Sequence, residues 1–253
     1  MGAVALLLLQ RAGSGSIDVY ALGNWPAPFG IVLVLDRLAA VMVALCAVLA
    51  LPVLVYAAGG TDARGRHFHA LFQFQIAGLN GAFLTGDLFN LFVFFEVLLL
   101  ASYGLLTHGN GRARARAGLA YVVLNLTGSA LFLIALGLLY GTLGTLNMVD
   151  MAGALARVPA ADQALVRTAA ALLIAVFALK AALFPLSFWL PRVYGAASAP
   201  AAALFAIMTK VGVYALLRIS TVTFSGAPVT ADLLQPWLMP LAIATIAAGT
   251  LGA

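Results

Sequence analysis

The sequence predicts an all-α, polytopic membrane protein with about seven full transmembrane helices and a partial one at the N-terminus. Three observations lead there. Hydrophobic residues make up 64% of the 253 positions and charged residues 8%. The mean hydropathy is +1.09. The apolar residues fall into runs close to the roughly 20 residues that a bilayer crossing needs. Such a chain cannot cover a water-facing surface with polar groups.

Taken in order, residues 3–9 are apolar but too short to span. They read as the end of a truncated helix or as the hydrophobic part of a signal peptide, although no basic residue precedes them. Full crossings are expected over 37–58, 69–86, 88–107, 118–140, 167–190, 197–219 and 236–253. The helix over 167–190 should break or kink around Pro185, because proline removes the amide that would bond the Ala181 carbonyl and its ring pushes that carbonyl aside. The last run stops without a basic flank, so the chain reads as a truncated part of a longer polypeptide.

The loops divide by charge. Alternating the helices places Arg64, Arg66, Arg112, Arg114, Arg116 and Arg192 on one side with Asp62, a loop charge of +5. The other side carries five arginines and six aspartates, −1. The first set crowds into short loops, where positive charge marks the cytoplasmic side. The basic balance then follows from membrane orientation, and nucleic acid need not be invoked as a partner. Cys46 stands alone inside an apolar run, His67 and His69 are not spaced for one helix face, and no glycine cluster continues as GxGxxG or GKS/T. These features argue against a disulfide, a metal site, a bound cofactor or redox chemistry within the chain. Transport by a membrane protein is expected rather than enzymatic turnover.

The chain contains one glutamate and two lysines, and Glu96, Lys180 and Lys210 each fall near the middle of an apolar run. A charge at the bilayer centre costs roughly 2.5 to 3.5 kcal/mol on insertion scales. A chain that keeps three of them is expected to use them. Tyr103 lies two turns beyond Glu96 on the same helix face. Asp87 follows Thr85-Gly86 and is placed to cap the next helix. Lys180 precedes Pro185, and an opened backbone in a membrane persists only where protein or water satisfies it, which puts polar groups beside the ammonium. Lys210 has Thr209 beside it and Tyr214 one turn on. A lysine buried among apolar side chains can release and regain a proton. Asn125, Thr127 and Ser129 add groups that could hold water or bond neighbouring helices.

The stretches TGDLFNLFVFFEVLLLASYGLL, YVVLNLTGSALFLIALGLLYGTLGTLNM, FALKAALFPLSFWLP and ALFAIMTKVGVYALLR resemble the D subunits of Mrp-type multisubunit sodium/proton antiporters. These are relatives of the antiporter-like subunits of respiratory NADH:quinone oxidoreductase. The resemblance implies a fourteen-helix fold of two inverted five-helix repeats in a bacterial plasma membrane. Residues 1–68 would be the N-terminal helices and loops, 69–220 the first proton-channel repeat, and 221–253 the start of the second. It implies a proton relay through Glu96, Lys180 and Lys210, to which the residues themselves add Pro185, Tyr103, Thr209, Tyr214 and Asn125 in support. The implied partners are the other antiporter subunits, protons, and sodium or another monovalent cation. Many respiratory relatives have Asp-Ala-His after Trp-Leu-Pro; this chain reads Arg192-Val193-Tyr194 there. The same residues could instead serve proton pumping in an NADH:quinone oxidoreductase or membrane-bound hydrogenase, or act as an assembly scaffold whose charges only register helices.

Overall fold

The computed structural model describes residues 1–252. Helix α1 (Gly2–Gly13) packs along α2 (Arg37–Ala57). Between them lies a feature the sequence reading lacks: strands β1 (Asp18–Ala21) and β2 (Val32–Leu35) pair antiparallel, with Val19 opposite Val34. The β-branched valines favour strands, and Gly23 and three nearby prolines and glycines turn the chain before a helix can form. The fold therefore departs from purely helical by one short hairpin.

Asp36 starts α2 by accepting a bond from the Ala39 amide at 2.8 Å. Helices α3 (Phe68–Leu84) and α4 (Leu88–Thr107) form a closely packed antiparallel pair. Glycine makes that approach possible, since a Cβ at Gly78 would sit 2.7 Å from the Leu98 amide nitrogen. The turn between them ends at Asp87, whose carboxylate accepts from the Asn90 amide at 2.8 Å, as its position predicts.

Helix α5 (Arg112–Leu143) is 32 residues long. The expected crossing of 118–140 lengthens at its start because the alternating arginines and alanines that precede it are strong helix formers. It ends at Gly144, which adopts a left-handed φ of 73°. Helix α6 (Met148–Leu155) is short, capped by Asn147 and unforeseen. Helices α7 (Gln163–Lys180), α8 (Leu190–Ala196) and α9 (Ala199–Arg218) follow, then a π-helical turn (Ile219–Thr223) and α10 (Gln235–Leu251). The C-terminal residue of the expected 236–253 run lies outside the described residues.

Among the described residues five helical stretches, α2, α4, α5, α7 and α9 with its π-turn, are long and apolar enough to cross a membrane. The sequence predicts about seven; α3 and α10 each run 17 residues. The loops gather at two ends as the alternation predicts. At one, His108 Nε2 meets the Thr61 carbonyl at 3.0 Å and Arg114 bonds the Ala196 carbonyl at 3.2 Å. At the other, Arg218 pairs with Asp36, and Arg167 with Asp232.

Candidate functional site

Helix α7 ends at Lys180, five residues before the proline expected to break it. Phe184 precedes Pro185 and is steered away from helical geometry, and Ala182 takes a left-handed φ of 54°, so the unwinding reaches back to the lysine. The opened backbone is satisfied by protein. The Leu183 amide bonds the Ala178 carbonyl at 3.0 Å, the Trp189 indole bonds the Leu179 carbonyl at 3.3 Å, and the Phe184 amide bonds the Thr245 hydroxyl of α10 at 2.9 Å. Sequence reasoning does not single out Trp189 or Thr245. An indole that must place its N–H inside an apolar bundle is the available signal.

Lys180 is 6% exposed. Its ammonium donates to Asn125 Oδ1 at 3.3 Å and stands 5.7 Å from the centre of the Phe95 ring. Asn125 is held in that orientation because its own amide N–H donates to the Tyr121 carbonyl at 2.9 Å. Gly128 faces the same ammonium: a Cβ there would lie 3.9 Å from Nζ.

Glu96 on α4 is half-buried and accepts a hydrogen bond from the Ser129 hydroxyl of α5. Glu96 and Lys180, both in the relay that the resemblance implies, make no direct ion pair with each other. Among the described residues the ion pairs are Arg11–Asp18, Arg167–Asp232 and Arg218–Asp36, with a His69–Asp62 hydrogen bond that becomes one only if the imidazole is protonated, and neither Glu96 nor Lys180 is in any of them. The two charges are instead bonded to residues one turn apart on α5. Tyr103 lies edge-on to Tyr121 at 5.4 Å between ring centres, and the Tyr121 hydroxyl meets Ser102 at 3.1 Å. The aromatic pair thus borders the carbonyl that orients Asn125.

Lys210 departs from expectation. It is exposed, with Thr209 Oγ1 at 3.4 Å as its hydrogen-bond partner, rather than enclosed by apolar side chains. The backbone of α9 nevertheless abuts the site, because Gly212 allows it: a Cβ there would lie 2.4 Å from the Ala181 nitrogen. Helical periodicity turns Lys210 away while Gly212 faces inward. Tyr214 is not beside Lys210 either. Its hydroxyl donates to the Phe83 carbonyl and accepts from Arg218 Nε at 2.7 Å. Arg218 in turn grips both oxygens of Asp36, one of them at 2.7 Å. Burial works against the Asp36 carboxylate, but the Arg218 guanidinium and the Ala39 and Leu38 amides outweigh it and hold the carboxyl below its usual range. Burial raises that of Asp87 despite its amide bonds. Among the described residues no group of three or more His, Cys, Asp or Glu side chains converges.

An apolar helical bundle with five stretches among the described residues long enough to cross a bilayer defines a multi-pass membrane protein, here with a lysine buried at a broken helix end and a glutamate bonded to the same neighbouring helix. Residues 85–253 match the family described as NADH:quinone oxidoreductase/Mrp antiporter, TM, and the chain belongs to it. It is 52% identical over 251 residues to the D subunit of a probable K(+)/H(+) antiporter of Rhizobium meliloti, covering 98% of this chain and 47% of the relative. It is 42% identical over 254 residues to the D subunit of the Na(+)/H(+) antiporter of Alkalihalophilus pseudofirmus, covering 99% and 50%. In the structure of the Mrp complex from Dietzia sp., one chain superposes with a TM-score of 0.82 at 35% identity, covering 89% of this chain and 42% of that one. The resemblance read from the motifs therefore holds. The chain spans about half the length of the curated relatives it matches.

Proposed function

We propose that this chain is the proton-translocating part of a monovalent cation/proton antiporter in a bacterial plasma membrane, working with other antiporter subunits. Glu96 and Lys180 form the titrating core and Lys210 is the exit. The observation that carries this reading is Lys180: a buried ammonium at a helix break, held by a neutral amide rather than by a carboxylate. At an effective dielectric near 20, a charge pair at about 4 Å attracts by ~4 kcal/mol, and twice the separation halves that. An ammonium freed from the full pair energy gives up its proton more readily. A proton reaching Glu96 weakens the remaining attraction, and Lys180 then releases its own along the opened backbone toward α9. Lys210, exposed on that helix, can hand the proton out of this unit. Residues 69–220 would then act as the first channel repeat.

The cation is monovalent, and the names of the relatives divide between potassium and sodium. The test is pH-gradient dissipation in everted vesicles carrying the assembled antiporter, with each cation added in turn. Cation-dependent dissipation that disappears in Glu96→Gln, with assembly intact on a native gel, supports the reading. Full activity in that variant removes Glu96 from the mechanism.

A further inference from the structure

We infer that the Asn125–Ser129 turn of α5 is a spacer of matched polarity that holds the Glu96 carboxylate and the Lys180 ammonium apart as two separately bonded charges. Ser129 is thereby a positioning residue for Glu96. The inference rests on the proton-relay reading above and adds residues to it.

Three hydrogen bonds and one glycine carry it. Ser129 presents a donor to the carboxylate, and Asn125 presents an acceptor to the ammonium at 3.3 Å. Positions four apart lie on one face of a helix, about 6 Å along its axis. The Asn125 amide is not free to reverse. The Asn125 amide nitrogen is committed to the Tyr121 carbonyl at 2.9 Å, which leaves Oδ1 for the lysine. Gly128, between them in sequence, keeps the space beside Nζ open, since any side chain there would begin 3.9 Å from Nζ and 3.1 Å from Leu179 Cδ2. A serine at 129 for packing alone would not need to face the chain's single glutamate, and the rest of the α5 surface is dominated by apolar residues.

The two roles order the substitutions at position 129 oppositely. A positioning hydroxyl requires that Ser129→Thr keep at least half of the transport rate while Ser129→Ala and Ser129→Cys lose about tenfold, with normal amounts of assembled complex. Packing predicts the reverse, since alanine and cysteine fit the serine site and the threonine methyl crowds α4. The pH profile of transport should also move in Ser129→Ala and stay put in Ser129→Thr. Should the threonine variant fail to assemble, the alanine and cysteine variants decide. Normal rates and an unmoved profile in both would overturn the proposal. Glu96→Gln, measured alongside, separates the failures: if it transports normally the relay itself is wrong, and if it is inactive while both the alanine and cysteine variants are normal, only the spacer is wrong.

Discussion

Two places in this bundle hold charge against apolar helices, and they are built differently. At one end, Arg218 and Asp36 meet through two hydrogen bonds, with side chains 12% and 21% exposed; Arg218 Nε also donates to Tyr214, and Asp36 also accepts from the Ala39 amide. In the middle, Lys180 and Glu96 each bond a neutral residue of α5 and not each other. A bidentate pair with a third guanidinium N–H held by a tyrosine hydroxyl fixes helices in place. A charge met by a single neutral partner is expensive for structure alone, because an apolar side chain would serve packing as well or better. Under the proposed relay the first is a clamp and the second the working site, and each can be tested by breaking it.

The largest effect should come at Lys180. Alanine removes charge and proton; arginine keeps the charge but, with a pKa above about 12, holds its proton at any working pH. Both Lys180→Ala and Lys180→Arg should assemble, yet their proton flux in everted vesicles should fall by roughly a hundredfold, about 3 kcal/mol of barrier. Near-normal flux in the arginine variant would leave Lys180 a fixed charge and erase the contrast with the clamp.

The clamp should answer in stability instead. Removing one partner of a fully buried pair costs about 3 to 5 kcal/mol, and this one is partly solvated, so Arg218→Ala should cost ~1 to 3 kcal/mol. Its melting temperature in detergent should drop and the yield of assembled complex with it. Transport per assembled complex should change less than twofold. A large drop in specific transport at normal thermal stability would move Arg218 from the clamp into the working site.

Much of this is legible in the sequence, and the failures have identifiable causes. Long apolar runs are read by solvent preference alone, which is why the main crossings and the two-ended sorting of loops emerge. Asp87 as a cap follows from a turn signal. The hairpin at Asp18–Leu35 and helix α6 escape because short, partly exposed elements leave little periodicity. The break expected around Pro185 falls earlier, at Lys180, because a proline's effect on the residue before it unwinds the chain upstream. Lys210 is expected inside on hydrophobic context, yet which side a residue faces depends on the neighbouring helices, and Gly212 decides that α9 approaches α7 by its other face. Asn125 and Ser129 are visible as polar residues in an apolar run. Their division of labour requires knowing which helices stand opposite.

A smaller effect is expected where α10 touches the break. The Thr245 hydroxyl accepts from the Phe184 amide at 2.9 Å and donates to the Leu241 carbonyl at 2.6 Å. Thr245→Val keeps the shape and strands the amide, a loss of ~1 kcal/mol. Hydrogen exchange should speed up over 181–189 by about fivefold, while 112–143 stays protected. No change in the broken segment would show that this contact does not restrain it.

The smallest effect is a pH dependence confined to the clamp. Asp36 has its carboxyl held below the usual range, with the Arg218 bonds and capping amides outweighing the desolvation that opposes them. A carboxyl lowered in the folded state contributes stability that is present above its unfolded value, about 3.9, and lost as pH falls through the folded one. Wild-type melting temperature should therefore decline below about pH 4 more steeply than that of Asp36→Asn. The asparagine variant keeps a capping oxygen but has no charge to lose, so its curve starts lower near neutrality and runs flatter into acid. Transport by Asp36→Asn should keep the wild-type pH profile, because the clamp lies outside the Glu96–Lys180 line. Parallel acid limbs for the two proteins would mean that the ion pair adds nothing beyond its hydrogen bonds, and the clamp would then be a neutral cap that happens to carry charge.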